Sequence, residues 1–186
     1  KVTHEIVKAV APDVESVYLP HAVNEEWFKP LGIDVKKKMR KESMGIEDDK
    51  MIFFWNNRNA RRKQSGSVIF WFKEFLDKVG HDKATINVSD AEGFGLATLE
   101  SLSCGVPIIV NMTGGLQEQV TDGENWFGIG IEPCSKAVIG SQDVPYIYED
   151  RIDSKDFVDA LVKMYEMDPE ERAKLGAAGR QHVLKN

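Results

Sequence analysis

From Asp90 to Val110 the chain reads Asp-Ala-Glu-Gly-Phe-Gly-Leu-Ala-Thr-Leu-Glu-Ser-Leu-Ser-Cys-Gly-Val-Pro-Ile-Ile-Val, and no other stretch restricts the fold as strongly. Leu96 to about Cys104 reads as a helix, and Pro107 to Val110 as a buried strand rich in β-branched residues. A helix followed so closely by a buried strand calls for layered α/β packing. Gly93 and Gly95 remove side chains where a phosphate would approach, leaving backbone N–H groups at a helix N-terminus to face the anion. Glu92 falls in the loop before the helix, and Glu100 about one to two turns inside it. Both can accept hydrogen bonds from hydroxyls flanking that phosphate.

The rest of the chain alternates in the same way. Met51 to Trp55 reads as a strand, and Val68, Ile69, Phe72, Phe75, Leu76 and Val79 recur at helical intervals up to Gly80, which predicts a core-packed helix. Thr85 to Val88 and Trp126 to Ile131 read as short strands. Ser154 can cap a helix that turns Phe157, Ala160, Leu161 and Met164 inward. Asp168-Pro169-Glu170-Glu171 supplies a cap, a proline at the first helical position and acids in the first turn of a last helix. The stretch from Pro133-Cys134-Ser135 through Gln142-Asp143-Val144-Pro145 reads as a surface loop.

Composition fits a soluble globular chain, with 42% hydrophobic and 29% charged residues and no apolar run near the ~20 residues of a membrane span. A net charge of −6 argues against bulk nucleic-acid binding. Of two basic clusters, Lys36-Lys37-Lys38-Met39-Arg40-Lys41 reads as a solvated helix face, whereas Arg58-Asn59-Ala60-Arg61-Arg62-Lys63 follows a strand and suits a compact diphosphate. Arg58 offers a planar fork and Lys63 a mobile point charge. Cys104 and Cys134 form no Cys-x-x-Cys pair, so reduced thiols are expected, with Cys104 as a small buried residue. His4, His21, His81 and His182 share no metal-ligand spacing, so no metal is expected. The expected location is cytoplasmic, either free or peripheral to a membrane.

The sequence Glu92-x7-Glu100, followed by Cys104-Gly105-Val106-Pro107, Thr113-Gly114-Gly115 and Glu118, resembles the signature of retaining GT-B glycosyltransferases of the sucrose-synthase and mannosyltransferase family, usually called family 4. Arg58 and Lys63 after the strand at Met51 match the family's spacing. Leu19-Pro20-His21-Ala22-Val23-Asn24 and Trp27-Phe28-Lys29-Pro30 look like the segment leading into its donor domain, with Ala22 where glycine is commoner. The resemblance implies a Rossmann-like parallel sheet flanked by helices, with residues 1–30 as the tail of an acceptor domain plus linker and 31–186 as the nucleotide-sugar domain. It also implies a missing internal segment, because the family places further strand and helix units where only Gly80 to Ala84 intervene here. A gap between Ala84 and Thr85 would exceed one peptide bond of about 1.33 Å.

The implied activity is retaining transfer of a hexose from GDP-mannose or a UDP-hexose to a glycan or other hydroxyl acceptor, with no cofactor. The acceptor would bind through an N-terminal domain absent from this chain, which alone would be an inactive fragment. By resemblance Arg58 and Lys63 meet the leaving diphosphate, Glu92 the donor sugar's hydroxyls and Glu100 the ribose hydroxyls. Gly93, Phe94, Gly95 and Leu96 present amides to diphosphate or sugar oxygens. Gly114 and Gly115 would make a tight turn near the ligand, and Glu118 would cap or orient the next helix. Singly, each residue has an ordinary structural reading, as a turn glycine or a surface charge. Two alternatives remain open: a sugar-nucleotide 2-epimerase, or a non-catalytic nucleotide-binding module.

Overall fold

The computed structural model describes residues 2–19, 21–47, 49–56, 64–89, 95–143 and 145–185, with the side chains of 2, 3 and 85–89 excepted. In chain order come α1 (Val2–Val10), α2 (Ile33–Met39) with a π-helical turn at Arg40–Met44, β1 (Met51–Asn56), α3 (Ser65–Val79) and β2 (Ala84–Ser89). There follow α4 (Leu96–Ser103), β3 (Ile108–Asn111), α5 (Leu116–Val120), β4 (Gly128–Ile131), β5 (Ser135–Val138), β6 (Tyr148–Arg151), α6 (Ser154–Glu166) and α7 (Pro169–Lys185). The architecture is the expected α/β arrangement of parallel strands flanked by helices. Among the described residues the strands pair two by two: β1 with β2 and β3 with β4 in parallel, and β5 with β6 antiparallel.

The first core is aromatic. Phe72 and Phe75 of α3 are buried and meet Phe53 of β1 edge-on, with ring centroids 5.9 and 5.4 Å away. Tyr165 of α6 closes on Phe75 at 5.9 Å, and Val158 and Leu161 of α6 join the same cluster. Each such side chain contributes about 1.5–3 kcal/mol by leaving water. Ile69, expected to point inward, is 54% exposed, because one helical position away from Val68 turns it about 100° off the buried stripe.

β2 begins at Ala84, after a turn in which the Lys83 amide donates to the Gly80 carbonyl (3.2 Å). Ala84 and Thr85 both lie in β2, registered against Met51 and Ile52.

The second core joins Leu102 of α4, Ile108 and Val110 of β3, Val120 of α5 and Phe127. Ile129 and Ile131 of β4 pack on Ala160 and Met164 of α6. Met51, Phe53 and Ile109 touch both this α6–β4 layer and the aromatic cluster, which links the two parallel pairs through one apolar layer.

Several boundaries shift for identifiable reasons. β3 starts at Ile108, since Pro107 has no N–H to place in a ladder. Trp126 pairs antiparallel with Thr121, so β4 starts only at Gly128. Asp153, not Ser154, caps α6: it is extended (φ −95, ψ 169) and its side chain accepts from the Asp156 amide at 2.8 Å. Asp168 caps α7 as expected, accepting from the Glu170 amide at 2.7 Å. Arg172 then donates to the carbonyls of Met164, Tyr165 and Met167, satisfying the end of α6. In the supposed loop after Pro133, the chain forms the β5–β6 hairpin. The basic stretch of α2 and its π turn buries nothing, as a solvated face should, although Arg40 reaches back to the carbonyls of Glu47 (2.9 Å) and Lys50.

Candidate functional site: the glycine-started helix and its neighbours

α4 is bounded by two glycines in the left-handed region. At its start Gly95 has φ +85, and a Cβ there would come within 3.0 Å of Leu116 and 3.2 Å of Thr98. A side chain at this position would be both strained and crowded. The Gly95 carbonyl accepts from the amides of Thr98 (3.1 Å) and Leu99 (3.3 Å) and from the Thr98 hydroxyl (2.5 Å).

At the other end Gly105 has φ +72. Its amide bonds the Leu102 carbonyl (2.9 Å), while the Val106 amide bonds that of Ser101 (2.9 Å). This is a Schellman stop, and Pro107 cannot continue the helix. The run Cys-Gly-Val-Pro is therefore a helix terminator that aims the chain into β3.

Of the predicted site residues, Gly95, Leu96 and Glu100 fall within the described region and share this short helix. Glu100 is half-buried in its second turn. The Cys104 thiol, half-buried rather than fully buried, is pushed up by that burial; Arg180 and Lys36 oppose the shift and Glu100 adds to it. Glu100 and Arg180 are thus electrostatic neighbours of the same thiol. Arg58, Lys63, Glu92, Gly93 and Phe94 lie outside the described residues. They follow closely on Asn56 and Ser89, which pair at the C-terminal ends of parallel β1 and β2. Ligands of open parallel sheets bind beyond such strand ends.

The Thr113-Gly114-Gly115 turn leaves β3 and leads into α5. Gly114 has φ +51, a conformation that favours glycine; Gly115 lies at φ −70, and nothing stands within 4 Å of a Cβ on either. The side of the turn is open enough for a ligand to approach. Glu118 lies inside the first turn of α5 rather than capping it, near the positive end of the helix. The Glu118 carbonyl lies 3.0 Å from Nε2 of His182, whose ring stacks on Phe127 at 4.6 Å.

Sequence reasoning passed over three polar groups here. Thr98 and the buried Gln119 form a hydrogen bond between α4 and α5. Asp150 of β6 accepts from the Thr113 hydroxyl at 2.5 Å and faces Lys136 at 3.6 Å, so the hairpin holds the glycine turn. A glutamine between Leu116 and Val120, on a helix packed against the core, was the available signal for the first pair. The second was hidden because the hairpin itself was read as a loop.

In the segment between α1 and α2, Phe28 is fastened by its carbonyl, which accepts from Ser103 Oγ (2.6 Å) and Arg180 (3.1 Å). Arg180 also donates to the Ser103 carbonyl. Among the described residues no cluster of three His, Cys, Asp or Glu side chains could hold a metal, and no helix is long and apolar enough to cross a membrane.

This fold is similar to a solved structure, the C-terminal domain of a glycosyl transferase group 1 family protein from Francisella tularensis, at a TM-score of 0.59 and 16% identity. The match covers 89% of this chain and 98% of that one. The architecture is thus that of the C-terminal domain of a GT-B glycosyltransferase. The family model for glycosyl transferases group 1 matches residues 72–182, and the chain belongs to that family. It is 36% identical over 94 residues to a GDP-mannose-dependent monoacylated alpha-(1-6)-phosphatidylinositol monomannoside mannosyltransferase of Corynebacterium glutamicum, covering 50% of this chain and 19% of that protein. It is also 32% identical over 102 residues to a D-inositol 3-phosphate glycosyltransferase of Thermobifida fusca, covering 54% of this chain and 19% of that one. The chain spans about a fifth of the length of these relatives.

Proposed function

We propose that this chain is the donor-binding domain of a retaining glycosyltransferase that moves a hexose from a nucleoside-diphosphate sugar to a hydroxyl acceptor. GDP-mannose is the favoured donor, a choice supported by the similarity to the GDP-mannose-dependent Corynebacterium relative. The observation that carries the reading is α4: a glycine in the left-handed region starts it, a half-buried glutamate rides in its second turn, and it is bonded to α5, the helix that the open glycine turn after β3 leads into.

In this reading the amides around Phe94, Gly95 and Leu96 face the diphosphate, and Glu100 accepts from the ribose hydroxyls. Glu92 accepts from the sugar's hydroxyls. As the glycosidic bond breaks, negative charge grows on the departing diphosphate, and Arg58 and Lys63 offset it. With two cations in that role the transfer needs no metal. An acceptor-binding domain on the far side of the cleft completes the enzyme, and the segment holding Phe28, pinned by Ser103 and Arg180, is where the two domains join.

Calorimetric titration of the 186-residue chain with GDP, UDP, ADP, GDP-mannose and UDP-glucose tests this. One nucleotide binds, and Glu100→Ala weakens it about ten- to a hundredfold, the worth of a charged hydrogen-bond acceptor. A folded chain that binds none of them overturns the reading.

A further inference from the structure

Gln119 is a polar side chain in the core, only 6% exposed on a helix that otherwise sends Leu116 and Val120 inward. A buried amide without partners is costly, so its partner identifies its role. That partner is Thr98, whose hydroxyl reaches both the Gln119 amide and the Gly95 carbonyl. A hydroxyl has one proton to give and can accept others. As placed, the hydroxyl proton can go to Oε1 of Gln119 or to the Gly95 carbonyl; with the glutamine amide turned so that Nε2 donates to Thr98, Thr98 donates to Gly95 and both contacts are made at once.

We infer that Gln119 and Thr98 form a latch that positions the start of α4 for the donor phosphates. The inference rests on the donor-site reading of α4. Gly95 is the pivot. Its φ of +85 sets the direction in which the first turn of α4 starts, and its carbonyl is the atom the latch grips. Glycine has no side chain to hold its own conformation, so an outside contact has to do it. α5 supplies that contact while also carrying the Gly114-Gly115 turn at its own start. The latch therefore fixes α4 relative to the second glycine turn, which is the spacing a diphosphate bridging the two would measure. Gln119 acts through Thr98 and Gly95 and is a positioning residue.

Three variants test it: Gln119→Leu and Thr98→Val remove the bonds at nearly constant volume, and Thr98→Ser keeps the hydroxyl. Three quantities are measured for each: thermal midpoint, amide hydrogen exchange across residues 95–99, and affinity for GDP, UDP and ADP. Gln119→Leu and Thr98→Val should each speed exchange in that turn and weaken nucleotide binding about five- to tenfold, the worth of one hydrogen bond. Thr98→Ser should match the parent, and the double variant should be no weaker than either single one. Unchanged exchange overturns the latch. So does a lowered midpoint with unaltered affinity, which is the outcome of a purely structural bond. A parent chain that binds no nucleotide overturns the donor-site reading itself and the latch with it; a parent that binds, with variants that bind equally, sinks the latch alone.

Discussion

The two cores of this domain are built on opposite principles. Around α3, β1 and α6 the elements are held apart by large rings, and stability comes from the apolar area of Phe53, Phe72, Phe75 and Tyr165. Around α4, β3, β4 and α7 they are drawn together by glycines until backbones touch. A Cβ on Gly176 of α7 would strike the Gly105 carbonyl oxygen, and one on Gly128 of β4 would strike that of Ile108. A ring packing can adjust its rotamers, whereas backbone contact fixes distance with little slack. The described part of the candidate site, α4 with its two glycine ends, stands on the second kind of core. Geometry there is set by what cannot be added.

The contrast can be broken from either side. The largest effect should come from Phe75→Ala, which empties the centre of the aromatic core, where Phe75 is fully buried. The expected loss is about 3–5 kcal/mol, read by urea denaturation. Nucleotide affinity of the folded fraction should be unchanged, because α4 does not lean on Phe75; a loss of affinity would mean that the two cores are not separable.

Gly176→Ala should cost less overall, about 1–3 kcal/mol, even though alanine is the better helix former by about 1 kcal/mol. Its added carbon meets the Gly105 carbonyl and, at 3.3 Å, Pro107. The shift should therefore pass to the Schellman end of α4. If Gly176→Ala is neutral or stabilising in the same denaturation experiment, the close-contact account of this core fails.

The smallest effect lies on the surface of the glycine-rich half, at the turn between α5 and β4. Asp122 accepts from the Asn125 amide (2.7 Å), the Asn125 side chain (3.1 Å) and the Glu124 amide (3.0 Å). These bonds hold its carboxyl down to about 2 from the ordinary 3.8. A carboxylate lowered in the fold stabilises it fully above its unfolded value and loses that contribution as pH falls through about 2. Thermal midpoints measured from pH 5 to pH 2 should fall slightly less steeply for Asp122→Asn than for the parent. An identical slope would remove Asp122 from the acid response.

Helices proved more legible than strand pairing. α3, α4, α6 and α7 were readable because their apolar residues recur at helical spacing and their ends carry local chemistry, such as Asp168-Pro169 and Gly105. The β5–β6 hairpin was missed because its strands are mostly polar, with Val138 and Tyr148 apolar but exposed, so they lack the polar and apolar alternation that marks a half-buried pair. The preference of α6 for Asp153 over Ser154 could not be read either, since both are good caps and only the backbone angles choose between them. Of the candidate site residues, Gly95, Leu96 and Glu100 fall on one helix, as their spacing along the chain led one to expect. Thr98–Gln119 and Thr113–Asp150 were not legible, because they join residues 21 and 37 positions apart.

The sequence by itself determined the class of fold, the family and the helix on which the candidate site is built, since periodicity, caps and the order of the short motifs are local properties of the chain. Tertiary structure decided how the strands pair, which glycines are required by backbone contact, and which polar groups hold the glycine turns. Those depend on what distant segments bring within a few ångströms of one another.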